Sequence, residues 1–333
     1  MKKGRWLWIP VGLVLLMLSA CGTAEQAEDA GSGEDAVNEE DAVNGEDAVK
    51  EEDTVNEEEG LTDAVTDSAR EEAAEETDGG SENVVTDENN EMAVEPDVKG
   101  TVSLSILGDS ISTFEGWIPE GNSVFYPQNG MVQDVSRTWW KIVLDETGFA
   151  LCVNGSSSGS TCRGDSLASD PMIGCSDFRI GQLEGADGKA PDVIIVYMGT
   201  NDVVESIPIG GNDGTKPVEE GYVDQFSDAY TLILNKLEER YPMARIYCCT
   251  LLPVGDWGTQ QPFVPFVNGV GLTSEAYSDQ IRTIAQNRGI PVIDLYYCGI
   301  TIDNMSEMTS DGVHLTPEGM RCVAEAVLEC IVK

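Results

Sequence analysis

Histidine is nearly absent: the 333 residues contain one, His314. Any imidazole acid–base chemistry must pass through that side chain. Positive charge is scarce too, with 19 Lys and Arg against 60 Asp and Glu and a formal net charge of −41. Phosphate backbones are held by clustered Lys and Arg, so nucleic acid is not an expected partner. No Cys-x-x-Cys pair occurs among the nine cysteines, which together with the single histidine argues against zinc or another bound metal. Aromatic side chains are missing from residues 22–100, and a segment without them has little with which to offset the entropy of ordering. The apolar run from Trp6 to Leu18 is too short to span a bilayer.

What is present divides the chain into three parts. Residues 1–20 have the layout of an export signal, with Lys2, Lys3 and Arg5 ahead of the apolar run. The run ends in Leu18-Ser19-Ala20-Cys21, which resembles the lipobox of bacterial lipoproteins. That resemblance implies cleavage before Cys21, a lipid on its thiol, and a membrane-anchored, extracytoplasmic location. Residues 22–100 carry 29 acidic residues against Lys50, Arg70 and Lys99. They include a six-residue repeat, Gly33–Asn38, Glu39–Asn44, Gly45–Lys50 and Glu51–Asn56, that fits neither a heptad nor a solenoid unit. Residues 21–100 are therefore expected to be a lipidated cysteine followed by a disordered acidic tether. Self-repulsion should extend it beyond the roughly 50 Å of a flexible chain of that length.

Residues 101–333 hold every aromatic residue except Trp6 and Trp8 and are long enough for one well-buried domain. Apolar runs alternate with helical patterns. Strands are expected at Val102–Leu107, Phe149–Val153, Asp192–Met198, Ala244–Leu251 and Ile290–Leu295. Helices are expected from a Ser136 cap to Gly148, from Tyr222 to Arg240, from Thr273 to Arg288, and after Thr316-Pro317, with threonine as cap and proline at the first position. This alternation predicts a three-layer α/β/α sandwich around a five-stranded parallel sheet, with ligands at the carboxyl ends of the strands. Several of the eight cysteines after Cys21 occupy apolar positions, which favours reduced thiols acting as small hydrophobes over a disulfide framework.

Four polar phrases fall where that layout places ligands. Leu107-Gly108-Asp109-Ser110 follows the first strand, Asn154-Gly-Ser-Ser-Ser-Gly159 the second, and Gly199-Thr200-Asn201-Asp202 the third; Asp311-Gly-Val-His314 lies in the last loop. A serine hydroxyl needs a base to take its proton, and the only imidazole is at His314. Asp311 is the candidate to orient it, and the oxyanion donors would be the Ser110 and Gly159 N–H groups and the Asn201 amide. The Gly-x-Ser-x-Gly elbow of α/β-hydrolases is absent around Ser110.

Together the phrases resemble the SGNH hydrolases, also called the GDSL esterase/lipase family, across residues 104–330. The resemblance implies a flavodoxin-like fold, Ser110 as nucleophile, Asp311 and His314 as acid and base, and Ser110, Gly159 and Asn201 as the oxyanion hole. It implies no metal or organic cofactor. One departure is Ser156, where many members have glycine.

The substrate side is less legible. Trp117 and Tyr126, in an aromatic and turn-rich stretch, are candidate platforms for a sugar, with core packing as the alternative. Arg163 is a candidate for a polar or anionic substrate group, or a structural bridge. The long Pro/Gly loop Leu251–Gly271, with Trp257, Phe263 and Phe266, is placed to flank or cover the site. The expected activity is a monomeric serine esterase acting on an acylated small molecule or polysaccharide, with a carbohydrate O-acetyl ester preferred. The alternatives are a lipase or lysophospholipase, or a non-catalytic surface-binding lipoprotein.

Overall fold

The computed structural model describes residues 101–256 and 261–332. The expected signal segment, Cys21 and the acidic tether lie outside the described residues, as does Trp257. Five parallel strands form the central sheet: β1 (Ser103–Gly108), β2 (Ala150–Asn154), β3 (Val193–Tyr197), β4 (Arg245–Cys249) and β5 (Val292–Ile293). Their order across the sheet is 2-1-3-4-5, the flavodoxin-like arrangement in which the chain changes direction between β1 and β3. Ligands of such sheets bind in the crevice outside the strand ends at that point.

Every residue of β3 is buried, as expected for a central strand covered on both faces. Ile194 and Val196 point to one face, and Val193, Ile195 and Tyr197 to the other. The first face is covered by α2 (Asp177–Gly181), α4 (Phe226–Arg240) and α5 (Ser274–Arg288), the second by α1 (Trp139–Thr147) and α7 (Pro317–Ile331). The short helices α3 (Thr200–Val204) and α6 (Met305–Met308) follow β3 and precede the final loop. The three-layer architecture is thus the one the alternation predicted. Among the described residues no helix is long and apolar enough to cross a membrane, and the eight cysteines are free, four of them fully buried.

Most strand ends shift by one or two residues, and three boundaries differ for an identifiable physical reason. Thr138, not Ser136, caps α1: its hydroxyl accepts from the Lys141 N–H, while Asp134 accepts the Ser136 N–H and starts a separate 3₁₀ turn at Val135–Arg137. Tyr222 and Val223 do not begin α4 but pair antiparallel with Gly164 and Asp165. The fifth strand is trimmed to two residues, because Leu295 already belongs to a 3₁₀ turn. The last helix begins as expected, with Pro317 at its first position and the Thr316 hydroxyl accepting from the Gly319 N–H.

Candidate active site

Ser110 opens a single 3₁₀ turn at the end of β1, and Asp109 caps that turn by accepting the Ile111 N–H at 3.1 Å. The turn exposes one face of the serine, and His314 Nε2 lies 2.9 Å from its Oγ. On the other side of the imidazole, Nδ1 lies 2.7 Å from Asp311 Oδ2. With the proton on Nδ1 donated to Asp311, Nε2 accepts the Ser110 hydroxyl, which is the tautomer a general base requires. Asp311 is fixed in turn: its Oδ1 accepts the backbone N–H groups of Val313 at 3.0 Å and His314 at 2.7 Å. Burial alone would raise this carboxyl, but the hydrogen bond and charge of His314 and the two N–H donors outweigh it and hold it below the usual carboxylate range.

A cavity of about 410 Å³ opens over this chain of hydrogen bonds, lined by Ser110, Phe125, Ser158, Gly159, Asn201, Val204, Asp311, Val313 and His314. Gly159 turns with φ +81°, a conformation that favours glycine, and a Cβ there would stand 3.1 Å from Met172. Asn201 Nδ2 donates one hydrogen to the Ser160 carbonyl at 2.9 Å, which leaves its second for the cavity. Among the described residues, the N–H groups of Ser110 and Gly159 meet no backbone or side-chain acceptor. The five residues drawn from four separated phrases therefore line one cavity at the switch point of the sheet.

The three substrate candidates are not among them. Tyr126 is completely buried, and its hydroxyl donates to the Leu315 carbonyl at 3.2 Å, so it is a core residue and not a sugar platform. Trp117 is exposed on one side but rests on the buried Trp140, with ring centroids 5.7 Å apart, and does not line the cavity. Arg163 is engaged by the Tyr222 hydroxyl at 3.0 Å and the Glu205 carboxylate at 3.3 Å, the structural bridge weighed from sequence. In the described part of the 251–271 loop, Gly255 N–H donates to the Gly312 carbonyl at 2.9 Å, between Asp311 and His314, and Phe263 is buried.

Sequence reasoning missed Phe125, whose ring stacks on the His314 imidazole, and the apolar walls Val204 and Val313. The aromatic stretch after Ser110 was the signal for Phe125, but only packing distinguishes it from Tyr126. Arg179 was also missed. It is fully buried behind the Ser110 turn, where Nη2 donates to the Gly108 carbonyl at 2.8 Å and Nη1 to the Pro171 carbonyl at 2.5 Å. Burial lowers its guanidinium to about 10, and the Asp109 carboxyl nearby counters that shift.

The sequence model of the GDSL-like Lipase/Acylhydrolase family matches residues 102–253, which include Ser110, Gly159 and Asn201. These residues identify a GDSL-like hydrolase region within the chain. Two crystal structures assigned to the GDSL-like lipases resemble it. One, from Bacteroides uniformis, has 28% identity and a TM-score of 0.52 over 70% of this chain and 97% of that one. Another, from Bacteroides ovatus, has 26% identity and a TM-score of 0.50 over 69% and 98%. A Lactobacillus plantarum protein at 20% identity, covering 69% of this chain and 95% of its own with a TM-score of 0.52, shares the fold. No curated protein matches the chain. The fold and the matched residues are those of GDSL-like hydrolases.

Proposed function

We propose that the protein is a serine esterase in which Ser110 forms an acyl-enzyme, His314 moves the proton and Asp311 orients and charge-balances the imidazole. The observation that carries this reading is the unbroken run from Ser110 Oγ through both nitrogens of His314 to Asp311, at 2.9 and 2.7 Å, inside one cavity. As Ser110 attacks an ester carbonyl, its proton passes to Nε2. The carbonyl oxygen becomes an oxyanion received by the Ser110 and Gly159 N–H groups and the free hydrogen of Asn201. Collapse of the tetrahedral species returns the proton from Nε2 to the leaving alcohol. A water molecule deprotonated by His314 then releases the acid.

Three apolar side chains, Phe125, Val204 and Val313, stand beside the nucleophile in a cavity of modest size, which suits a short acyl group. The polar Ser158 and Asn201 at the same cavity suit a hydroxyl-rich alcohol, so a carbohydrate O-acetyl ester is the substrate class we favour. The Leu18–Cys21 phrase supports lipid anchorage on the extracytoplasmic face; incorporation of labelled fatty acid should be lost in Cys21→Ala. Hydrolysis of 4-nitrophenyl esters of increasing chain length tests the rest. Acetate should be preferred, and Ser110→Ala and His314→Ala should abolish turnover. Wild-type inactivity at every chain length, or undiminished activity in Ser110→Ala, would overturn the assignment.

A further inference from the structure

The imidazole of His314 has two faces as well as two nitrogens, and one face is covered. The Phe125 ring lies over it, with centroids 3.5 Å apart and planes 9° from parallel. Phe125 is itself held. Its ring meets the edge of the Tyr126 ring at 4.9 Å, and Tyr126 is anchored to the Leu315 carbonyl one residue beyond the base. Its backbone N–H donates to Thr113 Oγ1 at 2.9 Å, and that hydroxyl donates to the Ser110 carbonyl at 3.0 Å. The stacked ring is thereby tied to the nucleophile turn and to the loop that carries the base.

We propose that Phe125 is a positioning residue for His314, holding the imidazole in the plane that joins Ser110 to Asp311 and stabilising the imidazolium formed when Ser110 gives up its proton. The proposal rests on the catalytic reading of Ser110, Asp311 and His314. An aromatic face carries the negative lobe of a quadrupole and attracts a cation placed over it. His314 becomes that cation only as the Ser110 proton arrives at Nε2. The attraction is therefore stronger in the transition state than in the resting enzyme, and it should act on kcat more than on KM. A leucine would preserve an apolar cavity wall but offer no π face, whereas a tyrosine would preserve both.

Because Phe125 also lines the cavity, the test must separate a service to His314 from a contact with the acyl chain. In the full-length protein, kcat and KM are measured on 4-nitrophenyl acetate, butyrate and octanoate for wild type, Phe125→Leu and Phe125→Tyr. Phe125→Leu should lower kcat about 3- to 30-fold on all three esters with KM little changed, and Phe125→Tyr should restore most of it. A loss confined to longer acyl groups and expressed in KM would overturn the proposal, as would wild-type kcat in Phe125→Leu. Phe125→Met serves if the leucine variant does not fold.

The single histidine supplies a readout independent of turnover. With ring-labelled histidine, the spectrum contains one imidazole, and a stacked phenyl ring shifts its Hε1 and Hδ2 signals upfield. Those signals should move downfield in Phe125→Leu and stay in Phe125→Tyr; unchanged positions in the leucine variant would mean the stack does not exist in solution. Should turnover survive Ser110→Ala, the catalytic reading falls while the spectrum still judges the stack.

Discussion

Removing the Asn201 side chain separates one proposed oxyanion donor from the two backbone donors beside it. The amide points into the cavity because Ser160 holds its other hydrogen, so Asn201→Ala should leave substrate binding nearly intact. It should lower kcat by about 10²- to 10³-fold in steady-state kinetics, the range for a single lost donor of this kind. Gly159 cannot be tested so cleanly, since alanine there meets both an unfavourable φ and Met172. Tyr126 makes the opposite prediction. Its hydroxyl serves the Leu315 carbonyl in the core, so Tyr126→Phe should cost about 1–2 kcal/mol in a denaturation curve, without a KM change for sugar esters. The candidate site was legible at this scale because Ser110, Gly159, Asn201 and His314, which line one cavity, each sit in a short polar phrase at a strand end or in the last loop. The walls were not, because whether Phe125 or Tyr126 faces the cavity depends on what packs against each ring. No local pattern in Phe125-Tyr126-Pro127 records that.

Among the elements, α7 is the one whose position matters most to His314. Its cap, Thr316, stands two residues after His314; the cap hydroxyl accepts from Gly319 and donates to the Glu307 carbonyl at 2.8 Å. Gly319 lies so close to the preceding chain that a Cβ would run into the Met308 carbonyl oxygen and the Leu315 side chain. Gly319→Ala should therefore lower Tm and kcat together, because α7 can accommodate the methyl only by moving the segment that carries His314. Thr316→Ala should cost only about 1 kcal/mol of stability, as for an ordinary cap. Thermal melts and kinetics on the two variants would separate these expectations, and an unperturbed Gly319→Ala enzyme would refute the first. This helix was readable from Thr316-Pro317 because caps are local signals. The start of α4 was not, since Tyr222 and Val223 are claimed by a partner strand some sixty residues earlier. The start of α1 differs from the expected Ser136 because Asp134 and Thr138, on either side of it, take the two capping positions.

For the molecule as a whole, acidity is not confined to the surface. Asp109 and Asp202 are both fully buried; Asp202 accepts the Cys162 N–H at 2.8 Å. Burial raises Asp109 to about 6 and Asp202 to about 7, against hydrogen bonds that pull the other way. In the unfolded chain such groups titrate near 3.9. Between about pH 4 and 7 the folded protein therefore binds protons that the unfolded chain has released. The resulting stabilisation is complete below the unfolded value and is lost as pH rises through the two folded values. Asp311 runs the other way: depressed by His314 and its N–H donors, it stabilises above the unfolded value and is lost only as pH falls through its lower folded value. The two effects occupy different windows, so Tm should climb by roughly 5 °C or more from pH 8 to pH 5 before it falls in stronger acid. Relief of surface self-repulsion would also raise Tm on acidification, and Asp202→Asn distinguishes the causes. Asparagine can still accept the Cys162 N–H but carries no proton equilibrium, so the variant should lose the upper part of the rise, around pH 7, while keeping any part owed to the surface. Calorimetric scans of the two proteins across that range decide it: parallel Tm curves would place the pH dependence outside Asp202.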